Sequence, residues 1–330
     1  MNKQTSLTDI ARVANVSVAT VSYALNNRPE VSEKTRQRIK EIANQMNYHP
    51  NKAAQGLRTH QSRLIGMLIN TFNSMFNGEL VDDIRETLDH YGYSLVVIGN
   101  SNADLIDSQL FDALIIFNYT TTKSNLTALI ERTKIPIVLM ANELDFANVD
   151  NIVIDNQSAI TNLLKQYEKS QHQNICFFRG SRNSYNSAKR FASCRAYFEK
   201  YHPEYDVAAH TFNGHLESAP TYPIAKKLLS EKKYNFFFCL NDMMAYGVYR
   251  AASELHLKVG VDFSITGFDN APKSGEIYLP KLTTADSQLN TWSQEVAKSL
   301  VSRLEHPETP AQKTILVPTK IVQGASILYK

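Results

Sequence analysis

From Leu64 onward one pattern repeats: a short apolar run, an amphipathic stretch, then another apolar run. The runs are Leu64–Ile69, Ser94–Ile98, Ala113–Phe117, Ile137–Met140, Ile175–Phe178, Phe236–Leu240, Ser264–Thr266 and Thr314–Val317. Helical spacing lies between them over Gly78–His90, Ala159–Ser170, Pro223–Leu229, Asp242–Glu254 and Thr291–Leu304. Strands that are apolar along their whole length and alternate with helices belong in parallel sheets covered on both faces. Residues 64–330 exceed one such unit, which predicts an α/β body of two doubly wound parallel-sheet lobes with a cleft between them.

The first 63 residues predict a small all-α head. Ser6-Leu-Thr-Asp9 has the form of a capping box with Asp in place of Glu, opening a helix with Leu7, Ile10, Ala11 and Ala14 on one side. Asn15 tolerates the left-handed conformation that ends such a helix. Ser17 then caps Val18–Leu25, and two short helices this close make a helix-turn-helix candidate. Val21, Ala24 and Leu25 are expected inside, with Ala19, Ser22 and Tyr23 on the opposite side and Val18 at the exposed first turn. That outward side carries no charge. Its methyl groups could meet thymine methyls in a DNA groove and its hydroxyls phosphates or base edges, while packing on another domain is the plain alternative. A third helix is expected from Ser32 over Glu33–Asn47. After Pro50, the segment Asn51–Arg58 is too short to hold a helix alone and is expected to fold only against a partner, or else to serve as a linker.

Charge separates the same two regions. Residues 1–63 hold ten Lys/Arg against four Asp/Glu, a net of +6, in a chain of net +3; the rest is therefore −3. A basic head suggests a polyanion partner. No apolar stretch reaches the roughly 18 residues of a membrane span, and no secretory signal opens the chain, so a cytoplasmic protein is expected. Cys176, Cys194 and Cys239 are too few and scattered for a disulfide framework or zinc site. GxGxxG, Walker, GxSxG, HExxH and CxxC motifs are missing, so neither an enzyme nor a cofactor or metal is expected.

Leu7-Thr-Asp-Ile-Ala-Arg12, Val16-Ser-Val-Ala-Thr-Val-Ser22, Val31-Ser-Glu-Lys-Thr-Arg36 and Tyr48-His-Pro-Asn51 stand in a known order. Leu64-Ile-Gly66, Asn241-Asp242, Gly267-Phe-Asp-Asn270 and Leu282-Thr-Thr284 continue it. With these motifs the chain resembles the LacI/GalR family of bacterial transcriptional regulators, essentially end to end. The resemblance implies a helix-turn-helix head over 1–50, a hinge helix and linker over 51–63, and a periplasmic-binding-protein-like body over 64–330. It implies three crossings between the lobes, with lobe 1 at about 64–156 and 287–315 and lobe 2 at about 157–286 and 316–330. It further implies a homodimer on a pseudo-palindromic double-stranded DNA operator, with a small-molecule effector in the cleft. The chain stops at Lys330 without heptads, in keeping with a dimer.

By the same resemblance Val18, Ala19 and Tyr23 match base-reading positions, and Ser6, Ser17, Thr20, Ser22, Asn26 and Asn51 match phosphate contacts. Leu57 matches a leucine wedged into the minor groove, with Arg58 beside it. Phe76, Asn77, Ser184, Asn186, Arg190, Asn241 and Asp269 match effector-binding positions. Arg190 donates, Asp269 accepts and the Asn amides do both, which suits sugar hydroxyls. For Arg190 and Asp269, an ion pair between lobes is the structural alternative. Expected, then, is a repressor of carbohydrate-utilisation genes released by a sugar, or else a regulator answering a nucleobase, a phosphosugar or a partner-protein corepressor. Two departures stand out: Ala141 replaces an Asp used by some sugar-responsive members, and only Gly99–Asp112 joins the second and third strands, with room for a short helix at Ala103–Leu110.

Overall fold

The structure is a computed structural model that describes residues 5–48, 62–72, 74–99, 106, 110–118, 123–271, 279–308 and 314–330. The chain divides into two compact units, Met1–Ser62 and Arg63–Lys330. The expected hinge positions Asn51, Leu57 and Arg58, and most of the expected helix at Ala103–Leu110, lie outside the described residues.

In the first unit α1 (Leu7–Ala14), α2 (Val18–Leu25) and α3 (Glu33–Gln45) pack around Ile10, Ala14, Val21, Ala24 and Ile39, all nearly inaccessible. Ser6 and Asp9 form the reciprocal capping box, and Asn15 ends α1 in the left-handed region at φ 50°. Ser17 and Ser32 cap α2 and α3 through the backbone N–H of Thr20 and Thr35. One expectation fails here. Ser22 lies inside with Val21 and Ala24, at 7% exposure, because the stripe α2 buries against two neighbouring helices is wider than one row of side chains.

The second unit holds two sheets. The first has the order β11-β5-β4-β3-β1-β2, built from β1 (Leu64–Ile69), β2 (Ser94–Gly99), β3 (Ala113–Phe117), β4 (Ile137–Leu139), β5 (Val149–Ile154) and β11 (Ile315–Val317). The second has the order β12-β10-β9-β8-β6-β7, from β6 (Ile175–Arg179), β7 (Thr211–Asn213), β8 (Phe236–Cys239), β9 (Ser264–Asp269), β10 (Thr283–Asp286) and β12 (Lys320–Val322). All pairs are parallel except β10 with β12. Helices α4 (Met75–His90), α5 (Lys123–Thr133), α6 (Asn156–Glu168), α7 (Tyr185–Tyr201), α8 (Ser218–Ser230), α9 (Asp242–Glu254) and α10 (Leu289–Glu305) complete the described elements.

Expected strand positions match, but β5, β7, β10 and β12 carry no long apolar run. β5 hides its character because Asp150 and Asn151, both buried, interrupt it. Asn151 is satisfied by two hydrogen bonds with the Leu144 backbone, and Asp150 meets Arg303 at 3.6 Å. α8 begins before Pro223, which sits inside the helix rather than at its start. The chain crosses between lobes after Ile154, after Asp286 and after Val317; β11 pairs with β5, so the last crossing falls two residues beyond the expected 315.

Candidate functional site

Two places answer the expected site residues, one in each unit. On the head, Val18 and Tyr23 are 41% and 44% exposed, and Ala19 beside them is exposed too. Apolar groups standing in water over one turn of helix are unusual without a partner surface. The polar groups around them are already engaged. Ser6 Oγ donates to Asp9, Ser17 Oγ lies 2.8 Å from Thr20 Oγ1, and Asn26 Nδ2 donates to the Ser22 carbonyl at 2.8 Å. Several basic side chains brace the fold: Arg36 pairs with Glu33, Arg38 donates to the Ala14 carbonyl, and Lys40 donates to Asn27 Oδ1 at 2.7 Å.

The second place is the cleft between the lobes. In each sheet the strand order reverses beside the first strand of the lobe, between β1 and β3 and between β6 and β8. At such a switch point the connections leave to opposite faces and open a crevice at the strand carboxyl ends. The chain there supplies Phe76 and Asn77 from α4, Phe117 from β3, Ser184 and Asn186 at the start of α7, Asn241 after β8 and Asp269 ending β9. Together with Arg190 these residues, all of them expected except Phe117, line one cavity of about 110 Å³.

Its two walls differ in chemistry. Lobe 1 offers aromatic rings: Phe76 and Phe117 have centroids 6.2 Å apart, and Phe117 meets Trp292 edge-on at 5.7 Å. Trp292, the single tryptophan, anchors the set by donating from Nε1 to the Ile152 carbonyl at 2.7 Å. Lobe 2 is polar and centres on Arg190. Its Nε donates to Asn156 Oδ1 at 2.9 Å, Nη1 to the Leu240 carbonyl at 2.7 Å and Nη2 to Asp269 Oδ1 at 3.0 Å. The guanidinium also lies 3.4 Å above the Phe268 ring. Five N–H groups against three bonds leave one on each terminal nitrogen for a ligand. The ion pair thus exists, but inside lobe 2 rather than between lobes.

Asp269 has φ +109°, a conformation side chains seldom adopt, and strain of this kind persists only where surroundings impose it. Arg190 and Ser287 Oγ hold its Oδ1. Burial pushes its carboxyl up and Arg190 pulls it back, with burial the larger effect. Asn241 is more committed than expected: Oδ1 accepts from the Met244 N–H as the cap of α9, and Nδ2 donates to the Leu216 carbonyl. Asn186 Oδ1 accepts from Asn156, leaving its amide N–H groups for the cleft. Ser184 caps α7 through the Ser187 N–H. The sequence reading passed over Phe117 and Trp292, and also His215 and Glu217, which reach the cavity from a turn whose His215 and Leu216 both have positive φ. Asn213-Gly214 marks a turn there, but the two left-handed residues are the His215 and Leu216 that follow it.

Among the described residues no cluster of side chains could hold a metal, and no helix is long and apolar enough to cross a membrane. The pattern described as bacterial regulatory proteins, lacI family, matches residues 6–51, and that of a periplasmic binding protein-like domain matches 164–327. A probable HTH-type transcriptional repressor ExuR of Bacillus subtilis (strain 168) is 28% identical over 322 residues, covering 94% of this chain and 95% of the relative. Catabolite control protein A of Priestia megaterium is 27% identical over 328 residues, covering 95% and 96%. The HTH-type transcriptional repressor PurR of Haemophilus influenzae (strain PittEE) is 26% identical over 323 residues, covering 93% and 94%. Among solved structures, a Lac repressor dimer bound to operator and the anti-inducer ONPF superposes with a TM-score of 0.83 at 24% identity, covering 99% of this chain and 100% of that one. A complex of the transcriptional regulator CelR with cellobiose gives 0.69 at 20% identity, covering 98% and 100%. These two likenesses establish the fold.

Proposed function

Because this chain belongs to the lacI family of bacterial regulatory proteins and is a DNA-binding transcriptional repressor, we propose that it represses carbohydrate-utilisation genes and leaves its operator when a sugar-like effector occupies the interlobe cleft. The observation that carries this is a set of aromatic rings on lobe 1, beside polar Thr71, Ser74 and Asn77, facing a polar lobe 2 wall around Arg190. A pyranose has the same two characters, a C–H face for rings and a rim of hydroxyls for Arg190, Asn186 and Asp269. A cavity of about 110 Å³ favours a compact ligand. A nucleobase or phosphosugar is the second reading; the rings offer a base a stacking surface, but for a phosphate the one Lys or Arg among the described lining residues, Arg190, already holds Asp269.

On the DNA side, Val18, Ala19 and Tyr23 read bases in the major groove while the basic head holds phosphates. Two copies of the chain, as a homodimer, place two heads on the halves of a pseudo-palindromic operator. Leu57 and Arg58 serve the minor groove between them. The test is a melting-midpoint screen of the full chain against neutral sugars, sugar phosphates and nucleobases, since a ligand that binds only the native state raises the midpoint. A neutral sugar should raise it, and Phe76→Ala should abolish the rise. A rise with nucleobases or sugar phosphates alone would overturn the sugar reading.

A further inference from the structure

We propose that Glu143, Tyr185 and Lys189 form a latch across the lobe junction, with Glu143 as the positioning residue that sets how often the cleft stands closed. Glu143 belongs to lobe 1, in the connection between β4 and β5, whereas Tyr185 and Lys189 lie on the first turns of α7 in lobe 2. Lys189 Nζ is 3.1 Å from Glu143 Oε2. The same carboxylate neighbours the Tyr185 phenol, which is driven up in pKa by burial first and by that carboxylate second. The Lys189 ammonium also stands 5.2 Å from the centre of the Tyr185 ring. Residues four apart share one side of a helix, so the carboxylate that pairs with Lys189 also faces Tyr185 on the same side of α7.

No other ion pair among the described residues joins the lobes: Arg190 with Asp269 and His202 with Glu168 stay within lobe 2, and Arg303 with Asp150 within lobe 1. The latch also sits where it can act on the cleft. The helix it holds carries Asn186 and Arg190 into the polar wall, while Glu143 lies two residues beyond Ala141 of the lobe 1 lining. It borders the crossing segment Ile154–Asn156, so a small rotation of the lobes about the crossings would separate its partners. Glu143 and Lys189 are partly exposed, with side chains 33% and 53% accessible, so water replaces the contact readily. A pair of that kind shifts an equilibrium by a few-fold and is reversible, unlike the buried Arg190–Asp269 pair. The latch acts without an effector.

The experiment uses the full chain without ligand. Its three native cysteines are fully buried, so dyes can be placed at Glu131→Cys in lobe 1 and Lys227→Cys in lobe 2, both exposed. Labelled protein diluted into unlabelled protein lets single-molecule energy transfer report the lobe separation within one protomer. Glu143→Ala should lower the ratio of closed to open molecules about threefold, and Lys189→Glu should lower it at least as much. The swapped pair Glu143→Lys with Lys189→Glu should restore it, a recovery that mere damage to folding would not give. An unchanged distribution in Glu143→Ala, or no recovery in the swapped pair, would overturn the proposal.

Discussion

Thr284 Oγ1 donates to Asp242 Oδ1 at 2.6 Å and the Ala271 N–H to Oδ2 at 3.2 Å, yet burial, then the Asp269 carboxylate, push Asp242 up to about 8. Its pKa is higher folded than unfolded, so its contribution to stability is complete in acid and is lost as pH rises from about 4 through about 8. Unfolding free energy should therefore fall across that window, this group adding a slope of at most about 1.4 kcal/mol per pH unit. Asp242→Asn keeps the shape and, with the Thr284 hydroxyl reversed, the hydrogen bonds; denaturant melts from pH 5 to 9 should show it with the shallower slope. Equal slopes would remove Asp242 as the cause. Gly267 explains its place in Gly-Phe-Asp-Asn here: a Cβ on it would stand 2.1 Å from Asp242 Oδ1 and 2.6 Å from Leu282 Cδ2. Gly267→Ala should destabilise by about 1–3 kcal/mol in the same melts, as overpacking does. Arg190 is poorly suited to a clean loss of ligand response, because its removal strands buried Asp269 at a cost of about 3–5 kcal/mol.

Helix α2 is the element on which sequence and structure agree in boundaries and, Ser22 apart, in face. Its capping serine, its length and the exposure of Val18, Ala19 and Tyr23 follow from local rules; the burial of Ser22 depends on how α1 and α3 close over it, which no local rule contains. Ser17→Ala should lower head stability by about 1 kcal/mol through loss of the cap on the Thr20 N–H, measured by melting. Tyr23→Ala should change base preference more than general affinity in binding to a randomised site library, and replacing thymine by deoxyuridine in the selected half-sites should weaken binding where Val18 and Ala19 touch a methyl. An unchanged preference would place readout elsewhere. Helix α7 was harder to see. Its inward row is Ser187, Arg190, Cys194 and Phe198, so the residues that serve the cleft break the apolar period that would have marked the helix. β5 is obscured in the same way by Asp150 and Asn151. Much of what was illegible is therefore polar residues placed inside, each made tolerable by a partner far away in sequence.

At the scale of the whole molecule, the repeated strand–helix pattern was enough to foresee two lobes, and the shared strand order puts a crevice between them. The cavity's aromatic wall was not foreseeable in the same way, since Phe117 and Trp292 are 175 positions apart and are joined only by the return of the chain through α10 to lobe 1. A cleft that both lobes line can favour one relative position of the lobes, and a ligand shifts that balance only by binding one position better. Any effect of the ligand on DNA must then be mutual: what weakens operator binding is itself bound more weakly by the operator complex, by the same factor. The most direct measurement is operator affinity of the full chain titrated with the sugar that raises its melting midpoint, beside Phe76→Ala, which keeps the head intact. Saturation should lower affinity about 5- to 150-fold in the unaltered chain and leave the variant unmoved; unchanged or tighter operator binding in the unaltered chain would contradict release by the cleft ligand.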